Sequence, residues 1–184
     1  MFKSANNDTF GAKTREVLAT FALMWFYMLV IISLFKLTGF VKVDLANNAP
    51  FLGACLNYWF GSNHLTLADA LNSPVGVVTV LGIIIVAPFL VEEFLFRGTP
   101  WFITKDENGA LKKGGWLIIV AGSFVLFGLA HRHGIFSLMV QGVSGLLLAR
   151  LWFRNGPDSV ASYWSTATAH SLFNISLLLV AWLG

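Results

Sequence analysis

Charged residues are scarce in this chain. Only 11% of its 184 residues are Asp, Glu, Lys or Arg, while 57% are hydrophobic. Soluble domains carry about 25% charged residues, so the composition excludes an ordinary soluble fold and indicates an integral membrane protein. The net charge of +3 does not support nucleic-acid binding, because the basic residues lie in the short segments between apolar runs, as in the positive-inside pattern of membrane proteins.

Cysteine is almost absent, and so is the alternation of apolar and polar residues that marks barrel strands. The single Cys55 excludes an intrachain disulfide, and it is a poor nucleophile candidate because His64 is nine residues away in a loop. Backbone groups in a bilayer must be paired within the protein, which leaves helices as the spanning elements. We therefore predict an all-α integral membrane protein, a bundle of about five transmembrane helices with its catalytic residues inside.

The apolar runs and the basic segments together predict a topology. A bilayer-spanning helix needs about 20 mostly apolar residues, and basic loops favour the cytoplasmic side. The basic segments place the N-terminus inside and the C-terminus outside. We expect helices over residues 18–40, 75–103, 116–130, 135–153 and 163–183, and cytoplasmic segments over residues 3–15, 105–113 and 150–154.

Two glutamates and an arginine lie in the second apolar run, which contains no other charge. Each such residue costs roughly 2.5–3.5 kcal/mol on insertion scales, so a cluster of them indicates a functional site. Glu93 and Arg97 are four residues apart and are expected to pair on one helix face. Glu92 is turned by about 100° from Glu93 and has no obvious local partner. A carboxylate held apart from an ion pair suits a general base, although the cluster could also serve only to fix helix packing.

The depth of these glutamates depends on where the second helix ends. If it ended at residue 94, Glu92 would lie about 25 Å from His131 at the other end of the third helix. We therefore expect the helix to continue past Arg97 to about Phe102, with a kink at Pro88.

Further residues of interest in the apolar runs occur as pairs four apart. Phe127 and His131 share one face of the third helix, and His170 and Asn174 share one face of the fifth. A single histidine on an apolar face is more often a satisfied core residue. Buried polar groups need partners, however, and in so small a bundle these residues and the glutamates most easily find each other.

The order of these residues resembles that of the CPBP family, also called the Abi family. Its members are glutamate-dependent intramembrane proteases, the bacterial relatives of the type II CAAX prenyl endopeptidases. Three motifs over about residues 75–184 carry the resemblance, each weak alone: Glu92-Glu93-x-x-x-Arg97, Phe127-x-x-x-His131 and His170-x-x-x-Asn174. The fourth helix departs from the family pattern, since Gly142-x-x-Gly145 stands where members often have Phe-x-x-Gly-x-x-x-Gly. Gly142, Gly145 and Ala149 form a small-residue face on this helix, which lets another helix approach closely.

The resemblance implies an endopeptidase that forms no acyl-enzyme and needs no metal or other cofactor. Glu92 and His131 would hold and activate a water, while His170 and Asn174 would stabilise the oxyanion. Glu93, Arg97 and Phe127 would be supporting residues.

The apolar runs and the resemblance together divide the chain. Residues 1–73, which no family motif covers, would form an anchor helix and an extracytoplasmic loop, and the resemblance implies that residues 74–184 form the catalytic helical core. The protein would lie in the cell membrane as a multi-pass protein, in the plasma (inner) membrane if its source is bacterial. Its substrate would be a membrane-associated protein or peptide, either a prenylated tail or an unprenylated anchored peptide.

Three other interpretations remain open. A zinc peptidase would take Glu92, His131 and His170 as ligands, although no His-Glu-x-x-His helix is present. A rhomboid-like serine protease would use Gly142-Val143-Ser144-Gly145 with His170 as base, although only a short turn separates the two helices here. The third is a non-enzymatic immunity or scaffold protein that keeps the same fold.

Overall fold

A computed structural model of the protein describes residues 10–38, 72–130 and 134–183. These residues form five helices, with one isolated β-bridge between Lys105 and Leu111 and no strand among them. The all-α fold class predicted from the composition is confirmed. We number the helices α1, Phe10–Thr38; α2, Pro74–Thr104; α3, Gly115–Ala130; α4, residues 134–154; and α5, Val160–Leu183.

Two of the helices are long and apolar enough to cross a bilayer. They are Phe10–Phe35 and Pro74–Thr104, which contain 18-residue windows with mean hydropathies of 2.3 and 2.6. The number of helices matches the expectation, whereas the number of membrane spans stays a prediction. The predicted extracytoplasmic loop lies outside the described residues up to residue 71.

α2 is a 31-residue helix that carries the glutamates in its interior. Ser73 caps it by accepting a hydrogen bond from the Gly76 amide at 2.9 Å. The helix continues through Pro88, because Pro88–Glu92 and Phe94–Gly98 are wound as π-helical turns with hydrogen bonds to carbonyls five residues back. The proline thus coincides with widened turns in a continuous helix, and the predicted extension beyond Arg97 is confirmed.

The small residues of α4 bring it close to α3. A Cβ atom at Gly142 would lie 2.7 Å from the carbonyl oxygen of Phe124, and one at Gly145 would overlap the carbonyl oxygen of Ser123. Both glycines are therefore required by backbone contact, which confirms the predicted small-residue packing face.

α1 packs against α4 and α5 as a full member of the bundle, although none of the sequence motifs falls in it. Its N-terminal end is tied to α4 by an ion pair between Glu16 and Arg154 at 2.8 Å. The main apolar core follows this pair along α1. Its buried members are Val17, Met24, Met28, Ile31 and Ile32 of α1, Val140, Leu148 and Leu151 of α4, and Ala169 and Phe173 of α5.

The connection between α2 and α3 is an ordered hairpin. The Asp106 carboxylate accepts hydrogen bonds from the amides of Asn108 at 2.9 Å and Ala110 at 2.8 Å. Gly109 adopts φ +72°, a left-handed conformation that favours glycine. These local bonds give the polar segment between the two apolar helices a defined shape.

Asp158, in the turn between α4 and α5, fastens that turn to the end of α2. It accepts hydrogen bonds from the Lys105 ammonium at 2.7 Å and the Trp101 indole at 2.9 Å. The hydrogen bond from Lys105, with that from Trp101, holds the pKa of the Asp158 carboxyl below its usual range.

Candidate active site

Glu93 is the centre of a buried cluster that joins α2 to α5. Its side chain is fully buried. One carboxylate oxygen, Oε1, accepts a hydrogen bond from Nη1 of Arg97 at 3.3 Å and lies 2.9 Å from Nδ1 of His170. The pairing of Glu93 with Arg97 predicted from their spacing is confirmed, and the same oxygen also reaches a second helix.

His170 lies between the two consecutive glutamates. Its Nε2 is 3.3 Å from Oε2 of Glu92, on the opposite side of the ring from Glu93. Glu92 thus meets a partner on α5. The π-helical turns of α2 rotate consecutive side chains by a smaller angle than the about 100° of an α-helix, which helps both carboxylates to reach one imidazole.

The two carboxylates differ in how much of their surface the rest of the protein covers. The side chain of Glu92 is 17% exposed, whereas Glu93 is fully buried and His170 is 2% exposed. Glu92 therefore lies at the edge of the cluster and can be reached from outside, while Glu93 lies behind the imidazole ring.

The two contacts of the imidazole differ in geometry. The contact of Nδ1 with Oε1 of Glu93 is a hydrogen bond. Oε2 of Glu92 is buried and has no hydrogen-bond partner within the described part of the chain, so its approach to Nε2 is a close contact and not a hydrogen bond. Glu93 is thus the carboxylate that is bonded to both Arg97 and His170.

Phe127 of α3 contacts both Arg97 and His170. The ring is fully buried and lies 4.3 Å from the guanidinium carbon of Arg97, in a cation–π arrangement. Its edge meets the imidazole of His170 with ring centroids 5.5 Å apart. Nη2 of Arg97 also donates to the Gly145 carbonyl at 3.5 Å. The supporting position expected for Phe127 is therefore between Arg97 and His170.

Of the two remaining predicted catalytic residues, Asn174 and His131, the structure describes only Asn174. Asn174 is half-buried on α5, one turn beyond His170, and has no hydrogen-bond partner within the described part of the chain. His131 lies outside the described residues. Its predicted position beside Glu92 and the zinc-ligand set that would include it therefore stay predictions.

Two residues near the cluster were not predicted as part of it. Thr166 is fully buried on α5, where its hydroxyl interacts with Glu93 and also donates to the carbonyl of Ser162 at 2.9 Å. Its position four residues before His170 is a signal that could have revealed it. Gly145 was predicted only as a packing residue, and no feature of its spacing indicates that its carbonyl accepts a hydrogen bond from Arg97.

The serine of the rhomboid-like alternative has a different environment. Ser144 is 1% exposed, and its hydroxyl donates to the carbonyl of Val140 at 2.9 Å, one turn earlier in the same helix. Such back-bonding is the usual behaviour of serine inside a helix, and the geometry does not favour Ser144 as a nucleophile.

The fold and the site together describe an all-helical protein with a buried carboxylate, histidine and arginine cluster in apolar helices. The family model described as Type II CAAX prenyl endopeptidase Rce1-like matches residues 73–176, more than half of the chain. The protein therefore belongs to the Rce1-like family of type II CAAX prenyl endopeptidases, which is membrane-embedded. The match covers the glutamates and the motif of α5 but not α1. Comparisons with curated proteins and with solved structures gave no significant match.

Proposed function

We propose that the protein is an intramembrane endopeptidase that hydrolyses a peptide bond with a water activated by Glu92. The observation that carries this proposal is the difference in exposure and contacts between the two glutamates. Glu93 is fully buried and shared between Arg97 and His170, whereas Glu92 is partly exposed and meets His170 at the longer distance of 3.3 Å. A general base must be reachable by water, and the partial exposure of Glu92 supports this role.

In the proposed reaction, Glu92 takes a proton from water as the oxygen attacks the scissile carbonyl carbon. The carbonyl π electrons move to oxygen and form an oxyanion, towards which Nε2–H of His170 and the side-chain amide of Asn174 would donate. On collapse the carbon–nitrogen bond breaks, and the proton held by Glu92 passes to the leaving amine. Glu93 would keep the imidazole oriented through Nδ1 throughout, because its other contact to Arg97 fixes the carboxylate.

His131 is proposed to hold the water together with Glu92, on the strength of the family motif Phe127-x-x-x-His131. The buried position of Phe127 against His170 supports this proposal, since it places the helix that precedes His131 beside the cluster. No cofactor is needed for the chemistry, because the cluster itself contains a base and hydrogen-bond donors.

The family suggests a substrate that is a membrane-associated protein or peptide. We propose a cell-membrane location with multiple spans, α1 and the following loop as an anchor segment over residues 1–73, and the catalytic core over residues 74–184. Prenylated CAAX tails and unprenylated anchored peptides are both compatible with an active site inside a helical bundle. A set of membrane-anchored reporter peptides with and without a prenyl group would separate the two substrate classes.

Glu92→Gln tests the proposed function, since it keeps the shape of the side chain but removes the base. Cleavage of the reporter peptides in detergent should fall to background, while the melting temperature stays near that of the unchanged protein. Glu107→Gln, in the exposed hairpin, is the matched control and should cleave normally. Near-normal cleavage by the Glu92→Gln protein would reject Glu92 as the base, whereas a lack of cleavage by the unchanged protein would favour a non-enzymatic scaffold.

Metal analysis of the same active preparation separates the glutamate mechanism from the zinc alternative. We expect activity to survive treatment with a chelator that removes tightly bound metal. One zinc per chain, lost and regained together with activity, would instead establish a metallopeptidase.

A further inference from the structure

α1 is not covered by the family match, yet it packs on the helix that carries His170 and Asn174. We infer that Trp25 of α1 is a positioning residue for the reaction, because its hydrogen bond to Ser176 fixes the rotation of α5. This inference rests on the proposed function, in which His170 and Asn174 donate to the oxyanion.

A short chain of hydrogen bonds links the indole to the backbone of α5. Nε1 of Trp25 donates to the hydroxyl oxygen of Ser176 at 2.7 Å, and that hydroxyl donates to the carbonyl of Phe173 at 2.7 Å. The Trp25 ring also meets the Phe173 ring edge to face, with centroids 5.8 Å apart and an interplanar angle of 67°. Trp25 therefore holds both the side chain and the main chain of one turn of α5.

That turn contains Asn174 and directly follows the turn that carries His170, the other proposed oxyanion donor. Ala169 and Phe173 are buried in the core shared with α1, at 0% and 1% exposure. Each is followed directly in sequence by a site residue, His170 or Asn174. Because neighbouring residues on a helix differ by about 100° in direction, fixing the face that α5 turns to α1 also fixes the direction of the two donors.

The hydrogen bond adds something that the apolar core does not supply. Contacts between apolar side chains are not directional, so α5 could rotate or slide slightly against α1 with little change in buried area. A donor and an acceptor must stay aligned to keep their bond, and small errors in the position of an oxyanion donor are costly to the rate.

The test is a double-mutant cycle in the full-length protein with the reporter peptides. Trp25→Phe keeps an aromatic ring and removes the donor, and Ser176→Ala removes the acceptor. Each should lower kcat on the order of fivefold to tenfold with little change in KM, as expected for a lost positioning bond. The double variant should be no slower than the slower single variant, and Ser176→Thr, which keeps the hydroxyl, should restore kcat.

Two controls show that the effect belongs to this contact. Trp116→Phe removes an exposed indole at the start of α3, and Ser33→Ala removes an exposed hydroxyl from α1; both should leave kcat unchanged. Melting curves show whether a fall in kcat merely follows unfolding.

Three results would overturn the inference: unchanged kcat in Trp25→Phe and Ser176→Ala, losses that multiply in the double variant, or losses that follow a lower melting temperature and are not rescued by Ser176→Thr. If kcat is unchanged in Trp25→Phe and Ser176→Ala while the Glu92→Gln protein is inactive, only the role of Trp25 is rejected. An active Glu92→Gln protein rejects the proposed function itself.

Discussion

At the scale of single residues, Glu93 joins two helices. It accepts from Arg97, which lies on its own helix, and meets His170 of α5. A carboxylate in this position balances the buried charge of Arg97, which would otherwise lie in the interior without its ion-pair partner. Loss of Glu93 should therefore affect folding as well as catalysis.

We predict that Glu93→Gln destabilises the protein by about 3–5 kcal/mol, the usual cost of removing one partner of a buried ion pair. The expected signs are a lower melting temperature and lower yield, together with reduced cleavage. Glu16→Gln is the matched control, since its partner Arg154 is 38% exposed and such pairs contribute about 1 kcal/mol or less. Equal losses of stability in the two variants would show that the Glu93 cluster is not a significant source of stability.

The spacing of residues predicted one contact of this cluster, and the packing of helices determines the others. The pairing of Glu93 with Arg97 follows from their four-residue spacing on one helix, which can be read from the sequence. The contact of His170 with both carboxylates does not follow from it, because that contact depends on how α5 is rotated against α2 and on the π-helical turns. Pro88 indicated an irregularity in α2, but not that the irregularity would consist of π-helical turns.

At the scale of helices, the close approach of α3 and α4 at Gly145 supports the site. A Cβ atom there would overlap the carbonyl oxygen of Ser123 and lie 2.9 Å from the ring of Phe127. The backbone of α3 would have to move, and Phe127 would move with it, away from Arg97 and His170. The packing of these two helices is therefore connected to the position of the charged cluster.

Gly145→Ala should accordingly lower both stability and activity. We expect a loss of about 1–3 kcal/mol, as for other overpacked sites, measured as a fall in melting temperature. Gly82→Ala, in α2, is the control, because a Cβ atom at Gly82 meets nothing within 4 Å. Replacing glycine by alanine inside a helix stabilises the helix by about 1 kcal/mol or less. A Gly145→Ala protein as stable as the Gly82→Ala protein would contradict this account of α3 and α4.

The contact between Asp158 and the end of α2 should make stability depend on pH. Because the pKa of Asp158 is lowered in the folded protein, its contribution is fully present above the ordinary aspartate pKa. The contribution is lost as the pH falls through the lowered value of the folded state. We expect Asp158→Asn to melt at a lower temperature than the unchanged protein at neutral pH, with the difference shrinking on acidification.

A gap in melting temperature that stays constant from neutral to strongly acidic pH would contradict the role of the Asp158 charge. Glu107→Gln, in the neighbouring hairpin, is a control for a general effect of charge. The size of the effect should be modest, since the Asp158 side chain is 49% exposed and solvent screens its pairing with Lys105.

At the scale of the whole molecule, the hydropathy of the sequence predicted the helices but not their mutual arrangement. The five apolar runs became five helices because apolar runs of this length bury their backbone groups best as helices. Which helices become neighbours depends on contacts such as Ser123 with Gly145 and Trp25 with Ser176, which join residues far apart in sequence. The family match over residues 73–176 does not extend to α1, so its place in the bundle had no motif to predict it.

The orientation of this bundle in the membrane is a prediction from charge alone, and it can be measured directly. Lys105, Lys112 and Lys113 lie in the hairpin between α2 and α3, and such basic loops favour the cytoplasm. We expect a cysteine at position 108, placed by Asn108→Cys in a Cys55→Ser background, to escape a membrane-impermeant maleimide in intact cells. It should react fully after permeabilisation, because Asn108 is exposed. Cys55 in the unchanged protein is the control for the opposite side, since its loop is predicted to be extracytoplasmic. Labelling of position 108 but not of Cys55 in intact cells would reverse the orientation.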